Sequence, residues 1–324
     1  MEFVKALSTD NVTAIKAAPK TDVHSHSFLS TRRENAEHWL GHPLTKPPLK
    51  MKGLEGMHAY IDEALAPHLD HRQGFEFIAE AAINDAVQDG VVRLEMSFDI
   101  RLLKFYPGGL TELRSFIEAL VEQYREKVDL RPELGFAREC ANDPKWMKSA
   151  HEAIELDIFQ SIDLYSHQEA CAPEAVQSLY AKARAAGMKL KAHVGEFGEA
   201  EEVRRTVEVL DLDEVQHGIG AAESVEVMRW LSENRIQLNV CPTSNVMLDA
   251  VPDLASHPIR TLFDNGVPVT INTDDLMIFG QSVSEEYRNL YQASVFSVQE
   301  LDDIRRASLA TVAARLPRPY VKEE

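Results

Sequence analysis

The stretch TDVHSHSFLS, residues 21–30, places His24 and His26 one residue apart at the end of a short alternating apolar run. Residues i and i+2 of a strand point to one face, so both imidazoles can project from a single strand and grip one ion. One such pair is also an ordinary surface feature. Its meaning depends on what the rest of the chain brings to it.

Seven more short apolar or alternating runs follow: VVRLEMSF from Val91, LRPELGF from Leu130, IFQSIDLY from Ile158, KLKAHVGE from Lys189, EVQHGIG from Glu214, IQLNVCPTS from Ile236 and PVTINTDD from Pro268. Between them lie longer amphipathic or Ala/Glu/Lys-rich segments. About eight strands alternating with helices predict an α/β fold, a (β/α)8 TIM barrel. EAVQSLYAKARAAG ends on Gly187, a C-cap residue, and SVEVMRWLSENR opens on Ser224, an N-cap residue. The interval 28–90 is far longer than one loop and helix and holds HPLTKPPLKMKG and GMHAYIDEALAPHL. It is expected to be an elaborated first βα connection forming a helical lid. No repeat, low-complexity tract or linker divides the chain, so a single domain over 1–324 is expected.

A net charge of −18 argues against nucleic acid or an anionic membrane as partner and favours a small neutral or cationic ligand. The three cysteines, Cys140, Cys171 and Cys241, suit neither a disulfide framework nor a CxxC zinc knuckle. With no apolar run of about 20 residues and no signal-like apolar start, the chain reads as soluble and cytoplasmic. Oligomeric state is not legible.

In a barrel of this kind the functional residues stand at the C-terminal ends of the strands. Here those are His24 and His26, His193 and Glu196, His217, and Asp274 with Asp275. A third imidazole from the fifth run and a carboxylate from the eighth complete a four-ligand set with room for a water, as a catalytic zinc requires. His38, His42, His58, His68, His71, His151, His167 and His257 read as surface or lid residues, and Cys241 as a buried small hydrophobe.

HSH, HVGE, VQHG, CPTSN and VTINTDD resemble, in order and spacing, the motifs of the adenosine deaminase family within the amidohydrolase superfamily. The resemblance implies one zinc per chain held by His24, His26, His193 and Asp274. It implies that Glu196 protonates purine N1, that His217 orients and helps deprotonate the water at the zinc, and that Asp275 hydrogen-bonds the water and purine N7. The implied reaction is hydrolytic deamination of adenosine or a related 6-aminopurine, with release of ammonia.

Four positions depart from the family pattern. Ser27, Phe28 and Leu29 follow the HxH pair where Leu-Asp-Gly or Leu-Asn-Gly is usual, and an acid there contacts the ribose 5′ hydroxyl. Ser166 in DLYSHQE stands nearest to a glycine that contacts the purine, Ser97 replaces a second-strand Arg, and Leu276 replaces the Pro after TDD. The substrate-binding set is therefore expected to include Asp275, Ser166 and Phe28. A 5′-modified adenosine or free adenine is the alternative substrate. Two other classes compete: a PHP-type metal phosphoesterase, whose opening DxHxHS looks alike, and a non-catalytic nucleoside-binding homologue.

Overall fold

In a computed structural model the chain is described over residues 2–314, so the 1–324 span expected for a single domain reaches past the described residues at both ends. All eight expected runs are strands: β1 Lys20–His26, β2 Val91–Asp99, β3 Asp129–Ala137, β4 Ser161–Tyr165, β5 Lys189–Val194, β6 Glu214–His217, β7 Gln237–Val240 and β8 Val269–Ile271. Each pairs in parallel with the next, in the order β1 to β8. The seam between β8 and β1 is closed beyond the end of β8. Ser25 and Asp274 form a parallel bridge, the Asp274 N–H donates to the His24 carbonyl at 3.0 Å, and the Val23 N–H donates to Asn272 Oδ1 at 2.9 Å. The fold is the expected (β/α)8 barrel.

Helices cover the outer faces of the strands, so the strands are buried on both sides and read as short apolar runs rather than long alternating ones. The capping residues act as their chemistry predicts. Ser224 accepts from the Val227 N–H at 3.3 Å to start the helix Val225–Glu233, and Gly187, at φ +78°, leads the chain out of Gln177–Ala185. The barrel interior is not purely apolar. On β5, Lys191 lies fully buried with its Nζ 2.7 Å from Glu95 on β2 and 2.8 Å from Glu133 on β3, and it donates to the Val23 carbonyl at 2.9 Å. This charged floor sits two residues below His193.

The long first connection folds into the helices Arg33–Leu40, Gly53–Tyr60, Ala66–Leu69 and Arg72–Gln88. Pro67 has no N–H to continue the helical ladder, and the chain takes a wide turn over Ile61–Leu65 just before it. The connection builds its own apolar cluster, in which Leu65, Leu69 and Ile78 pack with Met277, Ile278 and Phe279. Residues between Lys52 and Asp70 form one wall of the cavity at the C-terminal end of the barrel. Among the described residues, no helix is long and apolar enough to cross a membrane.

Candidate active site

At the C-terminal ends of the strands lies an open cavity of about 1170 Å³, lined by His26, His193, Glu196, His217, Asp274 and Asp275 among others. His24, buried beneath it, and His193 face each other with their Nε2 atoms 3.0 Å apart. His24 Nδ1 lies 3.0 Å from the Asn239 carbonyl, which can only accept, so this nitrogen carries the hydrogen. His193 Nδ1 likewise faces Asp163, at 3.1 Å. Both Nε2 atoms therefore present lone pairs to each other, an arrangement that calls for a cation between them. His26 Nε2 stands 3.4 Å and His24 Nε2 3.9 Å from Asp274 Oδ1, and the three imidazoles fall within the spacing of a common ion. Asp274 is held in place by Ser244, whose hydroxyl donates to Oδ2 at 2.7 Å, and it takes a left-handed backbone at φ +60°. Three imidazole nitrogens and a carboxylate oxygen, with outer partners fixing the tautomers, are a donor set that fits zinc.

Electrostatics agree with that arrangement. Burial holds His24 and His193 well below the ordinary imidazole range, with the neighbouring rings adding to the effect. Burial also works against charge on His26, yet the carboxylates of Asp275, Asp274, Asp163 and Glu133 outweigh it and raise this ring's pKa. Cys241 comes within reach of His24 and His217, but burial pushes its thiol well above the usual range and so keeps it protonated.

Beside the ligands, His217 Nε2 lies 3.6 Å from Glu196 Oε2 and 3.8 Å from Asp274 Oδ2. Burial, with Asp274 and Asp275 adding, raises the Glu196 carboxyl well above its usual value, so it stands as a neutral acid. Burial lowers His217 to about 3. The backbone delivers these side chains by turning sharply at the strand ends, with Gly195 at φ +71° and His217 at φ +63°. A Cβ on Gly195 would meet Val203 Cγ2 at 2.3 Å, so the HVGE turn requires glycine on two grounds. Asp275 caps the short helix Leu276–Phe279, and its buried Oδ1 has no hydrogen-bond partner among the described residues.

The adenosine deaminase family model matches residues 50–318. The chain belongs to the adenosine deaminase family. Family members are hydrolytic deaminases and metal-dependent. A Treponema pallidum protein named "Putative adenosine/adenine deaminase" is 40% identical over 273 residues, 84% of this chain and 90% of that one. Adenine deaminase of Paraburkholderia phytofirmans is 30% identical over 67% of this chain and 63% of its own length. Among solved structures, an Arthrobacter aurescens adenine deaminase aligns over 94% of this chain and 95% of its own, with a TM-score of 0.78 and 24% identity. An amidohydrolase of the Burkholderia genus with bound Zn aligns over 93% and 90%, with a TM-score of 0.76 and 21% identity.

In this adenosine deaminase fold the sequence-derived set is brought together at one end of the barrel. Phe28 is half-buried, packs on both apolar clusters and still lines the cavity; neither Arg32, which pairs with Glu285, nor His38 lines it. Ser166 lines it too, with φ at +78°, the backbone that a glycine favours, and its hydroxyl donates to Glu139 Oε1 at 2.8 Å.

One reading is corrected. His257 is neither a surface nor a lid residue: it is buried, and its Nε2 lies 3.2 Å from Asn245 Oδ1, directly behind Glu196 and His217. A histidine preceding Pro258 at a helix start looks like turn chemistry, which hid it. The sequence reading also missed Asn239, Asp163 and Ser244, which orient the imidazoles and Asp274. Asn239 and Asp163 stand one and two residues before a strand end, and Ser244 lies four residues past the end of β7 in CPTSN, which was the available signal. At the cavity mouth, Asp99 accepts from Arg101 and from the Tyr165 hydroxyl, a group the sequence reading did not assemble.

Proposed function

We propose that the protein hydrolytically deaminates a 6-aminopurine nucleoside, with one zinc held by His24, His26, His193 and Asp274. The observation that carries this reading is the buried, neutral Glu196 placed beside His217 and the three-imidazole cluster. When bound, the ion supplies Lewis acidity that brings the pKa of a water from about 15.7 toward ~7.

The reaction adds water across the C6–N1 double bond of the purine. Oxygen bonds to C6, Glu196 donates its proton to N1, drawing electrons away from C6, and the first proton that the water sheds restores the acid form of Glu196. The C6–NH2 bond then breaks, ammonia leaves with the second proton, and a 6-oxopurine remains. His217 accepts the Asn245 amide hydrogen on Nδ1, so its own hydrogen is on Nε2, facing the carboxylates. In this tautomer it orients the reacting groups as a donor, which narrows the implied role to that half. Asp275, whose carboxyl burial raises to about 7, donates to purine N7 in its acid form and accepts from the water through its remaining lone pairs.

The cavity is larger than a bare base fills and accommodates a nucleoside. Its lining is rich in carboxylates, and of its three lysines and arginines Arg101 pairs with Asp99 and Lys104 with Asp70. That charge disfavours a 5′ phosphate. Phe28 cannot accept a hydrogen bond from a 5′ hydroxyl, which favours a nucleoside with an apolar or modified 5′ position. The discriminating measurement is ammonia release, as kcat/KM, from adenosine, 5′-deoxyadenosine, 5′-methylthioadenosine, adenine and AMP. No ammonia from any of them sinks the reading; AMP or adenine as the best substrate by tenfold sinks the nucleoside assignment.

A further inference from the structure

Behind the acid and the imidazole runs a chain of buried hydrogen bonds whose polarity can be read from one end. The Ile259 N–H can only donate, and it lies 3.1 Å from His257 Nδ1, so the hydrogen of this neutral ring is on Nε2. That Nε2–H donates to Asn245 Oδ1 at 3.2 Å. The Asn245 amide is thereby oriented, and its Nδ2 group donates to Glu196 Oε1 at 2.9 Å and lies 3.1 Å from His217 Nδ1. Asn245 is fully buried and His257 is 2% exposed, so water does not compete for either. Burial lowers His257 to about 3 and keeps the ring neutral, as this polarity requires.

We propose that Asn245 is a positioning residue for Glu196 and His217, and that His257 acts through it by fixing which way the amide faces. The inference rests on the deaminase reading of the site. An amide nitrogen has two hydrogens, and here each has its own acceptor. The bond to Glu196 Oε1 makes that oxygen an acceptor and leaves the acidic hydrogen of the neutral carboxyl on Oε2. The bond to His217 Nδ1 places that ring's hydrogen on Nε2. One side chain therefore sets the proton position of two groups at once. At 245 an aspartate carboxylate has neither hydrogen and its neutral acid only one, and alanine has neither.

The test is a set of purified, metal-loaded variants assayed for ammonia release, with folding followed by thermal unfolding. Asn245→Ala is expected to lower kcat by about 10- to 100-fold, the cost of misaligned reacting groups, with KM changed by less than about threefold. In a Glu196→Gln background the same substitution should lower kcat by clearly less than it does alone, because the part of its effect that runs through the acid is gone and only the part that runs through His217 remains. His257→Gln, whose amide can donate where Nε2–H does, should stay within about threefold of the parent kcat, whereas His257→Leu should fall with Asn245→Ala. A purely structural role predicts losses that multiply undiminished onto Glu196→Gln, and that result overturns the proposal. So does a His257→Leu enzyme as active as His257→Gln, a comparison that decides the matter even where Asn245→Ala does not fold. A Glu196→Gln enzyme with parental turnover overturns the deaminase reading itself, and this inference with it.

Discussion

His24 Nε2 and His193 Nε2 lie 3.0 Å apart with the other nitrogen of each ring already committed, to the Asn239 carbonyl and to Asp163. Two lone pairs at that distance repel unless a cation lies between them. The protein is therefore expected to carry one tightly bound metal ion per chain, and to unfold at a lower temperature after chelation, since an ion that binds only the folded chain stabilises it. His193→Ala should lose both the metal and the activity. Elemental analysis giving two or more ions per active chain would count against a mononuclear site.

Glu196→Gln keeps the shape of the side chain and removes the acid. Turnover is expected to fall by about 10²–10⁴-fold with bound metal and unfolding temperature little changed. Near-parental turnover in steady-state assays removes Glu196 from the mechanism.

Phe28→Asp restores a hydrogen-bond acceptor at the cavity wall. The ratio of kcat/KM for adenosine over 5′-deoxyadenosine should rise by roughly tenfold or more, the effect of satisfying a buried hydroxyl worth about 1–3 kcal/mol. An unchanged ratio shows that Phe28 does not face the 5′ position.

Gly195→Ala meets two obstacles, a left-handed backbone and a Cβ contact of 2.3 Å with Val203. Together these are expected to cost at least about 2 kcal/mol of stability. Val203→Ala added to it should recover part of the loss and leave the backbone portion, as read from denaturant midpoints.

Glu286 is buried on the helix Val283–Gln292 and accepts from the Thr243 N–H at 3.1 Å, and burial raises its carboxyl to about 8. Above pH 4.5 the unfolded chain releases this proton while the folded chain holds it, so stability falls as pH rises from there toward 8. Asp22 and Glu133, both pushed up to about 7 by burial, act with the same sign. The contribution of these carboxyls to the unfolding temperature therefore falls between pH 5 and 8, against the opposite contribution of the buried neutral imidazoles of His24, His193, His217 and His257, and Glu286→Gln should shift the slope of unfolding temperature against pH upward. A Gln variant with the parental slope excludes Glu286 as a source of it.

The barrel was legible because parallel strands buried on both faces leave short apolar runs, and because HSH, HVGE, VQHG and NTDD all lie at or just past strand ends. The layers around them were not. Lys191, Glu95 and Glu133 look, in sequence, like solvent-facing positions of half-exposed strands, and only barrel closure turns them inward as a mutually neutralising floor. Asn245 and His257 belong to short segments whose composition signals turns. Their hydrogen bonds run between parts of the chain 49 and 12 residues apart, which no local pattern encodes.

The seam of the barrel sets a timetable for the ribosome. β1 finds β2 early, but its other edge waits for Asn272 and Asp274, and Val23 and Asn272 are 249 positions apart. At about 5–20 residues per second, that edge stays open for roughly 10–50 s of synthesis. Throughout that interval the strand carrying His24 and His26 offers unpaired backbone groups to any neighbouring chain, so the nascent protein is exposed to mispairing along the edge that the finished barrel closes last.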